Sequence, residues 1–384
     1  MAFLPLNYKE TQMNILSLIM LAFAVLGALD RIIGNKFGLG AEFERGFMLL
    51  GNMALTMIGV IVLAPTIALY TAPAFDAVYN AIGIDPSIFA ASILANDSGG
   101  TPLAFEIMKD ISLGGFNALV VSSMMGCTIS YTIPYALGVV EKERYNDMFL
   151  GMLCGIVTSP IGCFISGIVL GIPMLPLLWN LAPLILLSAV VALGLALAQR
   201  ITIKIFYVVG ILMKIIITVG LVASMIEALT GWETIPGLAP ISEGGMVCIN
   251  AAVVLSGAFP LMFVVSKILK KPLALLGKKL KVNNQSTLGL ITTIVSSTPT
   301  FEMVNKMDRR GIILNSAFAI SAAFTFGGHL AFTMAYSDIS SAYVAPMIIA
   351  KLVSGACAFA LALPIAARTV KKSDAAEHLN CNEE

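Results

Sequence analysis

The chain has 384 residues, of which 58% are hydrophobic and only 12% charged, and its formal net charge is +1 at pH 7. Soluble domains average about 45–50% apolar and about 25% charged residues, so a soluble globular protein is excluded. A spanning helix needs about 20 mostly apolar residues, and such runs recur along the chain. The composition predicts an all-α integral membrane protein, a polytopic helical bundle of about nine to eleven spans.

The remaining composition narrows the class of protein further. The start, MAFLPLNYKETQ, has no basic run before an apolar core, so we expect no cleavable signal. The six cysteines show no CxxC and no ligand-like spacing, and most lie in apolar runs, where they are expected to be small buried hydrophobic side chains. We expect neither a metal nor a cofactor. HExxH, GxSxG and the P-loop pattern are missing from the sequence, which argues against an enzyme and against ATP-driven transport. The expected partners are lipid and a small-molecule substrate, not nucleic acid, and a homo-oligomer is left open.

The apolar runs predict nine spans and two shorter segments. In chain order the spans fall at residues 14–33, 46–70, 112–140, 147–170, 174–198, 212–230, 246–267, 311–336 and 342–367. Two apolar runs broken by small polar residues, 86–108 and 285–308, are predicted as re-entrant hairpins. The alternative counts each broken run as a full crossing, which gives eleven spans.

The second half of the chain echoes the first at a constant spacing of 198 residues. The matching pairs are Gly59/Gly257, Ile93/Ile291, Ser98/Ser296, Asp110/Asp308, Asn117/Asn315 and Ser123/Ser321. Cytoplasmic loops are enriched in lysine and arginine, and residues 267–281 carry six lysines where the matching loop 71–86 carries none. We therefore predict two inverted structural repeats, with the first hairpin entering from outside and the second from the cytoplasm.

This organisation divides the chain into four parts. We expect a first repeat over residues 1–170, a linking transmembrane helix over 174–198 and a second, inverted repeat over 205–368. A short polar segment, 371–384, is predicted to be a disordered tail on the cytoplasmic side. Inverted repeats with discontinuous helices are the usual build of secondary transporters, whose sites lie near the bilayer midplane.

The first hairpin contains the stretch ILANDSGGTP, in which Gly99–Gly100 ends one half-helix and Pro102 suits the start of the next. An ionisable residue at this depth is by default a functional hypothesis, and a carboxylate in a partly dry pocket suits a cationic ligand. The candidate substrate-binding residues here are Asn96, Asp97, Ser98 and Thr101. In the alternative interpretation, Asp97 is a helix cap that accepts bonds from backbone amides.

The second hairpin is broken at SSTPTFE, residues 296–302, where Pro299 lies among hydroxyl side chains. The candidate substrate-binding residues of this break are Ser296, Ser297, Thr298, Thr300 and Glu302. The hydroxyls could instead bond back to helical carbonyls. Glu302 could instead form an ion pair with Lys351 or Lys306.

Two further interruptions lie at matching positions in the spans that follow the hairpins. GCTISYTIP, residues 126–134, contributes the candidates Thr128 and Ser130, and FGGHLAF, residues 326–332, contributes His329. A lone membrane histidine is also typical of a structural hydrogen-bonding group. Lys351 lies nine residues into its span, where it could snorkel to the interface or neutralise a site carboxylate.

Long stretches of the chain resemble the ethanolamine permease family of ethanolamine-utilisation operons. The stretches are FERGFMLLG (43–51), ANDSGG (95–100), SSMMGCTISYTIPYALG (122–138), GIVTSPIGC (155–163), GWETIPGLAPI (231–241), VNNQSTLG (282–289) and NKMDRRGIILNSAFAISAAF (305–324). In that family an acid often precedes the histidine, where this chain has Gly328.

The resemblance implies a permease that facilitates uptake of protonated, cationic ethanolamine across the bacterial inner membrane. Such a uniporter would be driven by the concentration gradient and the membrane potential. The alternative from the residues alone is an ion-coupled secondary transporter of another small polar solute, such as a nucleoside or an amino acid.

Overall fold

The computed structural model describes residues 15–336 and 341–380, and the statements below refer to that part of the chain. Its regular secondary structure is helical, and eight of its helices are long and apolar enough to span a membrane. The predicted all-α polytopic fold is therefore confirmed. The chain start, for which we predict no cleavable signal, and residues 337–340 and 381–384 lie outside the described residues.

The helices are numbered in chain order. Those before residue 198 are α1 (Ile15–Ile32), α2 (Leu39–Met48), α3 (Leu50–Ile82), α4 (Ser87–Ile93), α5 (Gly100–Ile107), α6 (Ile111–Val139), α7 (Tyr145–Val169) and α8 (Met174–Leu197). Those after it are α9 (Gln199–Thr230), α10 (Ile241–Leu280), α11 (Asn284–Val295), α12 (Ser297–Met303), α13 (Arg309–Ala322), α14 (Gly328–Tyr336) and α15 (Ser341–Asn380).

The two interruptions predicted after the hairpins have different outcomes. The span predicted at 311–336 is divided by the loop 323–327 into α13 and α14, as the FGGHLAF stretch indicates. The break predicted at 126–134 is wrong, because α6 stays helical throughout. Most of residues 117–132 instead have the wider hydrogen bonding of a π-helix, a local form that is frequent at functional sites.

Two helices extend well beyond the spans predicted for them. α10 continues to Leu280, through the lysine-rich segment that we predict to be a cytoplasmic loop, and lysine is a good helix former. α15 continues to Asn380, so residues 371–380 of the predicted disordered tail have a helical backbone.

Both broken runs double back on themselves, because the two ends of each run are hydrogen-bonded together. Asp85 Oδ2 accepts from the amides of Lys109 (2.9 Å) and Asp110 (2.8 Å) across the ends of the α4–α5 segment. Asp308 Oδ1 accepts from the amide of Asn283 (2.9 Å) across the ends of the α11–α12 segment. The ends of a full crossing would be about 30 Å apart. Both segments are therefore hairpins, and the eleven-span alternative is wrong.

The capping residues at these ends recur at the 198-residue spacing. Asp110 Oδ1 accepts from the amide three residues on (2.7 Å), and Asp308 Oδ2 does the same (3.2 Å). At the other end of each hairpin, Asp85 Oδ1 accepts from the amide of residue 87 at the start of α4 (3.0 Å), and Asn283 Oδ1 caps α11 through the amide of residue 286 (2.9 Å). The two halves thus share a local hydrogen-bonding pattern, while their opposite orientation in the membrane stays a prediction.

The matching glycines Gly59 and Gly257 make two equivalent close helix crossings. A Cβ atom on Gly59 in α3 would collide with the carbonyl of Ile217 in α9, and one on Gly257 in α10 would collide with the carbonyl of Met20 in α1. The first helix of each half therefore packs against the other half, at backbone-to-backbone distance.

We expect Gly59→Ala and Gly257→Ala to destabilise the folded protein by about 1–3 kcal/mol each, because the added methyl group meets a carbonyl that belongs to another helix. Gly51 and Gly245 lie on the same two helices with open space around the position of a Cβ atom, so Gly51→Ala and Gly245→Ala are matched controls. Thermal unfolding in detergent measures the difference. Equal unfolding temperatures for all four variants would contradict the proposed contacts.

The predicted inversion is tested by cysteine accessibility in a cysteine-free background. We expect a cysteine at Asn80, at the exposed end of α3, to react with an impermeant thiol reagent from outside the cell. A cysteine at Lys278, at the exposed end of α10, is expected to react only in inverted vesicles, because lysine-rich segments stay in the cytoplasm. Labelling of both positions from the same side would rule out the inverted topology.

Candidate functional site

The tip of the first hairpin, residues 94–99, lies against the start of α14 in the second half of the chain. A Cβ atom placed on Gly328 would lie 3.9 Å from the Asp97 Oδ2 atom. The break in one half therefore faces the break in the other, and the absence of a side chain at position 328 leaves space beside the carboxylate.

The loop 323–327 also pairs with the second hairpin. The amide of Phe324 donates to the carbonyl of Thr293 (3.2 Å), and the amide of Phe326 donates to that of Ile294 (3.0 Å). Phe324 has a φ of 62°, an unusual left-handed conformation for a residue other than glycine, which turns the chain sharply at this point. This loop thus brings the last turn of α11 close to the broken span between α13 and α14.

Asp97 is a partly buried carboxylate that caps no helix. Its Oδ1 accepts from the Ser98 hydroxyl (3.1 Å), and no capping bond is made by a side chain at the start of α5. Within the described residues, no lysine, arginine or histidine lies within ion-pair distance of it. The helix-cap interpretation is therefore not supported, and Asp97 keeps acceptor capacity for a ligand.

Two neighbouring candidates hold this tip in place. Ser130 Oγ in α6 accepts from the amide of Ala95 (2.9 Å) and donates to the carbonyl of Gly126 (2.8 Å). Asn96 is buried; its Oδ1 accepts from the amide of Asp97 (2.9 Å), while its Nδ2 has no partner. A buried amide nitrogen without an acceptor costs free energy, so it is a natural donor to a ligand oxygen.

Thr101 and Thr128 are buried and bonded to backbone carbonyls. Thr101 Oγ1 donates to the carbonyl of Ala118 (2.5 Å). Thr128 Oγ1 donates to the carbonyls of Met124 (3.0 Å) and Ile320 (3.3 Å), the second of which lies in the other half. Their hydroxyl protons are used within the protein, so these threonines support the helices around the site.

The hydroxyls of the second hairpin tip have separate roles. Ser296 Oγ accepts from the amide of Thr298 (3.3 Å) and so caps α12. Thr300 Oγ1 donates to the carbonyl of Gly289 (3.0 Å) and contacts the hydroxyls of two α11 threonines at 2.9 Å, which ties the two arms together. Ser297 Oγ is buried without a partner and is the hydroxyl of this tip that stays available.

Two tyrosines of α6 bridge to the second hairpin. The Tyr131 hydroxyl lies 2.9 Å from Thr298 Oγ1, and the Tyr135 hydroxyl donates to Glu302 Oε1 (2.8 Å). Glu302 is exposed and forms no ion pair with Lys351 or Lys306 in the structure. Both bridges connect the first half of the chain to the second.

An aromatic row connects these bridges to the interior. Tyr135 and Tyr131 stack with ring centroids 5.7 Å apart, Tyr131 meets Phe324 edge-on at 5.7 Å, and Phe324 lies 4.9 Å from the His329 ring. His329 is buried, and its Nδ1 has no partner. The row therefore leads from an exposed carboxylate, Glu302, to a buried polar ring.

The sequence does not predict three features of the site, namely Tyr135, Phe324 and the role of Lys351. Tyr131 and Tyr135 are four residues apart on one helix, a spacing that places both on one face and could have indicated the pair. Nothing in the sequence marks Phe324, since it reaches the row through a turn. Lys351 is 1% exposed, and its Nζ donates to the carbonyls of Ser123 (2.7 Å) and Ala323 (2.9 Å) rather than to a carboxylate.

Two hairpins whose tips meet a broken span, around a carboxylate without a counter-charge in contact, are the arrangement of a secondary membrane carrier. Comparison of the sequence with known protein families identifies the family within this class. A family model described as "Ethanolamine utilisation protein, EutH" matches residues 13–365, so the chain belongs to the EutH family.

Several relatives cover nearly the whole chain. The chain is 45% identical to the probable ethanolamine permease EutH of Listeria monocytogenes, over 95% of this chain and 97% of the relative. It is 40% identical to the uncharacterized protein YxeR of Bacillus subtilis, over 90% and 92%, and 37% identical to the probable ethanolamine permease EutH of Salmonella typhimurium, over 95% and 97%. No solved structure matches the chain.

The bridges from Tyr131 and Tyr135 predict a barrier between Asp97 and the face on which Glu302 is exposed. We expect the double variant Tyr131→Phe/Tyr135→Phe to raise the labelling rate of a cysteine at Ser98 about tenfold from that face, because two hydrogen bonds of about 0.5–1.5 kcal/mol each are lost. Tyr145→Phe is the control, since the Tyr145 hydroxyl bonds to the Leu137 carbonyl within the first half. An unchanged labelling rate in the double variant would rule out the barrier.

Proposed function

We propose that this protein is a permease for ethanolamine that takes up the protonated form across the bacterial inner membrane. The observation that carries the proposal is the Asp97 carboxylate, which lies where both halves of the chain meet and has no counter-charge in contact. Membership of the EutH family and the printed names of its relatives support the substrate.

The two ends of ethanolamine match the two kinds of group at the first hairpin tip. Its ammonium would bind to Asp97, since a carboxylate and an ammonium attract strongly where water is scarce. Its hydroxyl oxygen would accept from Asn96 Nδ2, which lacks a partner in the protein. The amine resembles a lysine side chain in basicity and is therefore mainly charged at neutral pH.

The aromatic row supports the passage of a cation between Asp97 and the exposed Glu302. The faces of Tyr131, Tyr135 and Phe324 carry negative potential, and a cation near such a face gains about 0.5–2 kcal/mol. A small ammonium leaving Asp97 would thus meet favourable groups along the way. None of them holds it as strongly as an ion pair would, so release stays fast.

Alternating access would use two barriers on opposite sides of Asp97. One consists of the tyrosine bridges between α6 and α12. The other is the stack of Phe105 in α5 on Tyr336 in α14, with centroids 5.3 Å apart and planes within 9°. Each barrier joins the second arm of one hairpin to the span that follows the hairpin of the opposite half. A relative movement of the halves would open one while the other stays closed.

The energy for uptake would come from the substrate gradient and the membrane potential. Moving one positive charge inward through 100 mV contributes about 2.3 kcal/mol. Neutral ethanolamine leaks through lipid, so a carrier matters most when the amine is charged. A coupled ion is not required by this scheme.

The test is uptake of radiolabelled ethanolamine into proteoliposomes with an inside-negative potential, at about pH 5.5 and about pH 8, because the neutral, membrane-permeant fraction of the amine is about 300-fold smaller at the acidic pH. We expect the excess over empty liposomes to be larger at the acidic pH, because the passive leak falls as the amine is protonated. Uptake no faster than in empty liposomes at either pH would overturn the proposal.

The role of Asp97 is tested by Asp97→Asn, which keeps the shape of the side chain and removes its charge. We expect uptake to fall about tenfold or more, which corresponds to about 1.4 kcal/mol or more of lost binding. Asp76→Asn is the control, since Asp76 forms an exposed ion pair with Lys109 (2.6 Å), and its loss should leave uptake unchanged. Full uptake by Asp97→Asn would move the counter-charge elsewhere.

A further inference from the structure

Lys351 lies in α15, and its side chain is almost completely buried in the interior of the helix bundle. A buried ammonium normally pairs with a carboxylate, because desolvating a lone charge is costly. In the structure Asp97 interacts electrostatically with Lys351, but the two side chains are not in contact. The Nζ atom is held instead by two backbone carbonyls, those of Ser123 and Ala323.

Both carbonyls are available because the helices that contain them are irregular. In α6, the amide of Cys127 bonds to the carbonyls of Met124 and Ser122 and passes over that of Ser123, which an α-helix would use. Ala323 ends α13 in an extended conformation, with φ −61° and ψ 143°, so its carbonyl points away from the helix. Each irregularity lies in the span that follows a hairpin.

The two carbonyls come from matching parts of the two halves. Ser123 corresponds to Ser321 at the 198-residue spacing, two residues before Ala323. Unwound carbonyls of discontinuous helices are the groups with which secondary transporters coordinate a coupling cation. Hard cations such as sodium prefer oxygen ligands of this kind.

We propose that Lys351 is a tethered cation, whose ammonium occupies the position that a coupling ion takes in an ion-driven carrier. This inference rests on the proposed function, because it assumes that the protein is a carrier. Lys351 holds the two irregular spans together in place of a dissociable ion. Uptake by the natural protein therefore needs no sodium, and the ion-coupled alternative is disfavoured.

The proposal also accounts for the charge of the substrate site. Asp97 and Lys351 carry opposite charges, so the empty carrier is neutral at its centre. The carrier loaded with an ammonium has one positive charge. The membrane potential then drives the inward movement of the loaded carrier. It does not affect the return of the empty carrier, which is neutral at its centre.

Removing the side chain should create a vacant cation site. In Lys351→Ala the two carbonyls lose the ammonium that bridges them, and the space of the side chain is left open. We expect sodium to raise the melting temperature of this variant, relative to N-methylglucamine, by about 3 °C or more, since a ligand that binds only the folded state stabilises it by mass action. The measurement is thermal unfolding of the full chain in detergent, without ethanolamine.

Three comparisons make the result specific. The natural protein should unfold at the same temperature in both salts, because its site is already occupied. Lys351→Met should also be insensitive to sodium, because the methionine fills the space. Lys214→Ala, at an exposed position on α9, should behave like the natural protein.

Uptake separates this inference from the proposed function. With sodium on both sides of the membrane, we expect Lys351→Ala to recover part of the ethanolamine uptake that it lacks in N-methylglucamine. A sodium-dependent rise in melting temperature without any ethanolamine uptake by the natural protein would retain the cation position and overturn the substrate. The tethered cation would be overturned if Lys351→Ala had the same melting temperature in both salts. It would also be overturned if no folded Lys351→Ala could be purified in either salt.

Discussion

Every backbone amide and carbonyl inside a bilayer must find a partner within the protein, since lipid offers none. A continuous helix satisfies this requirement through its own backbone hydrogen bonds, whereas a broken helix leaves some amides and carbonyls without a partner. Here the breaks satisfy one another: Ser130 in α6 accepts from the first hairpin tip, the loop 323–327 donates to α11, and Lys351 donates to Ser123 and Ala323. The site exists where these incomplete helices meet, because elsewhere their backbones would be left without partners.

The same requirement explains why one carboxylate stays available. A buried lysine near Asp97 would ordinarily neutralise it, and the sequence alone leaves that possibility open. The lysine is taken up by backbone carbonyls instead, so the two charges act on each other without contact. Backbone irregularity in α6 and at the end of α13 thus determines the chemistry of a side chain that belongs to neither helix.

Much of this architecture follows from the sequence, because apolar runs long enough to span a bilayer and paired Gly or Pro breaks are local features. Asp97 stands out for the same reason, as a carboxylate in an apolar context. The partners of Thr101, Thr128 and Glu302 depend on which helices lie side by side, and no local pattern contains that information. The π-helical form of α6 escapes prediction because GCTISYTIP resembles a break, while its Gly126 in fact allows close packing against the carbonyls of the first hairpin.

The crossings at Gly59 and Gly257 have a consequence for how the molecule is put together. Because α1 packs on α10 and α9 packs on α3, the halves exchange their first helices, much as two swapped subunits would. Either half by itself would present to lipid a glycine-floored groove that lacks its natural occupant. We therefore expect neither half to form an independent membrane domain, so that insertion of the chain is complete only after α9 and α10 have entered the bilayer.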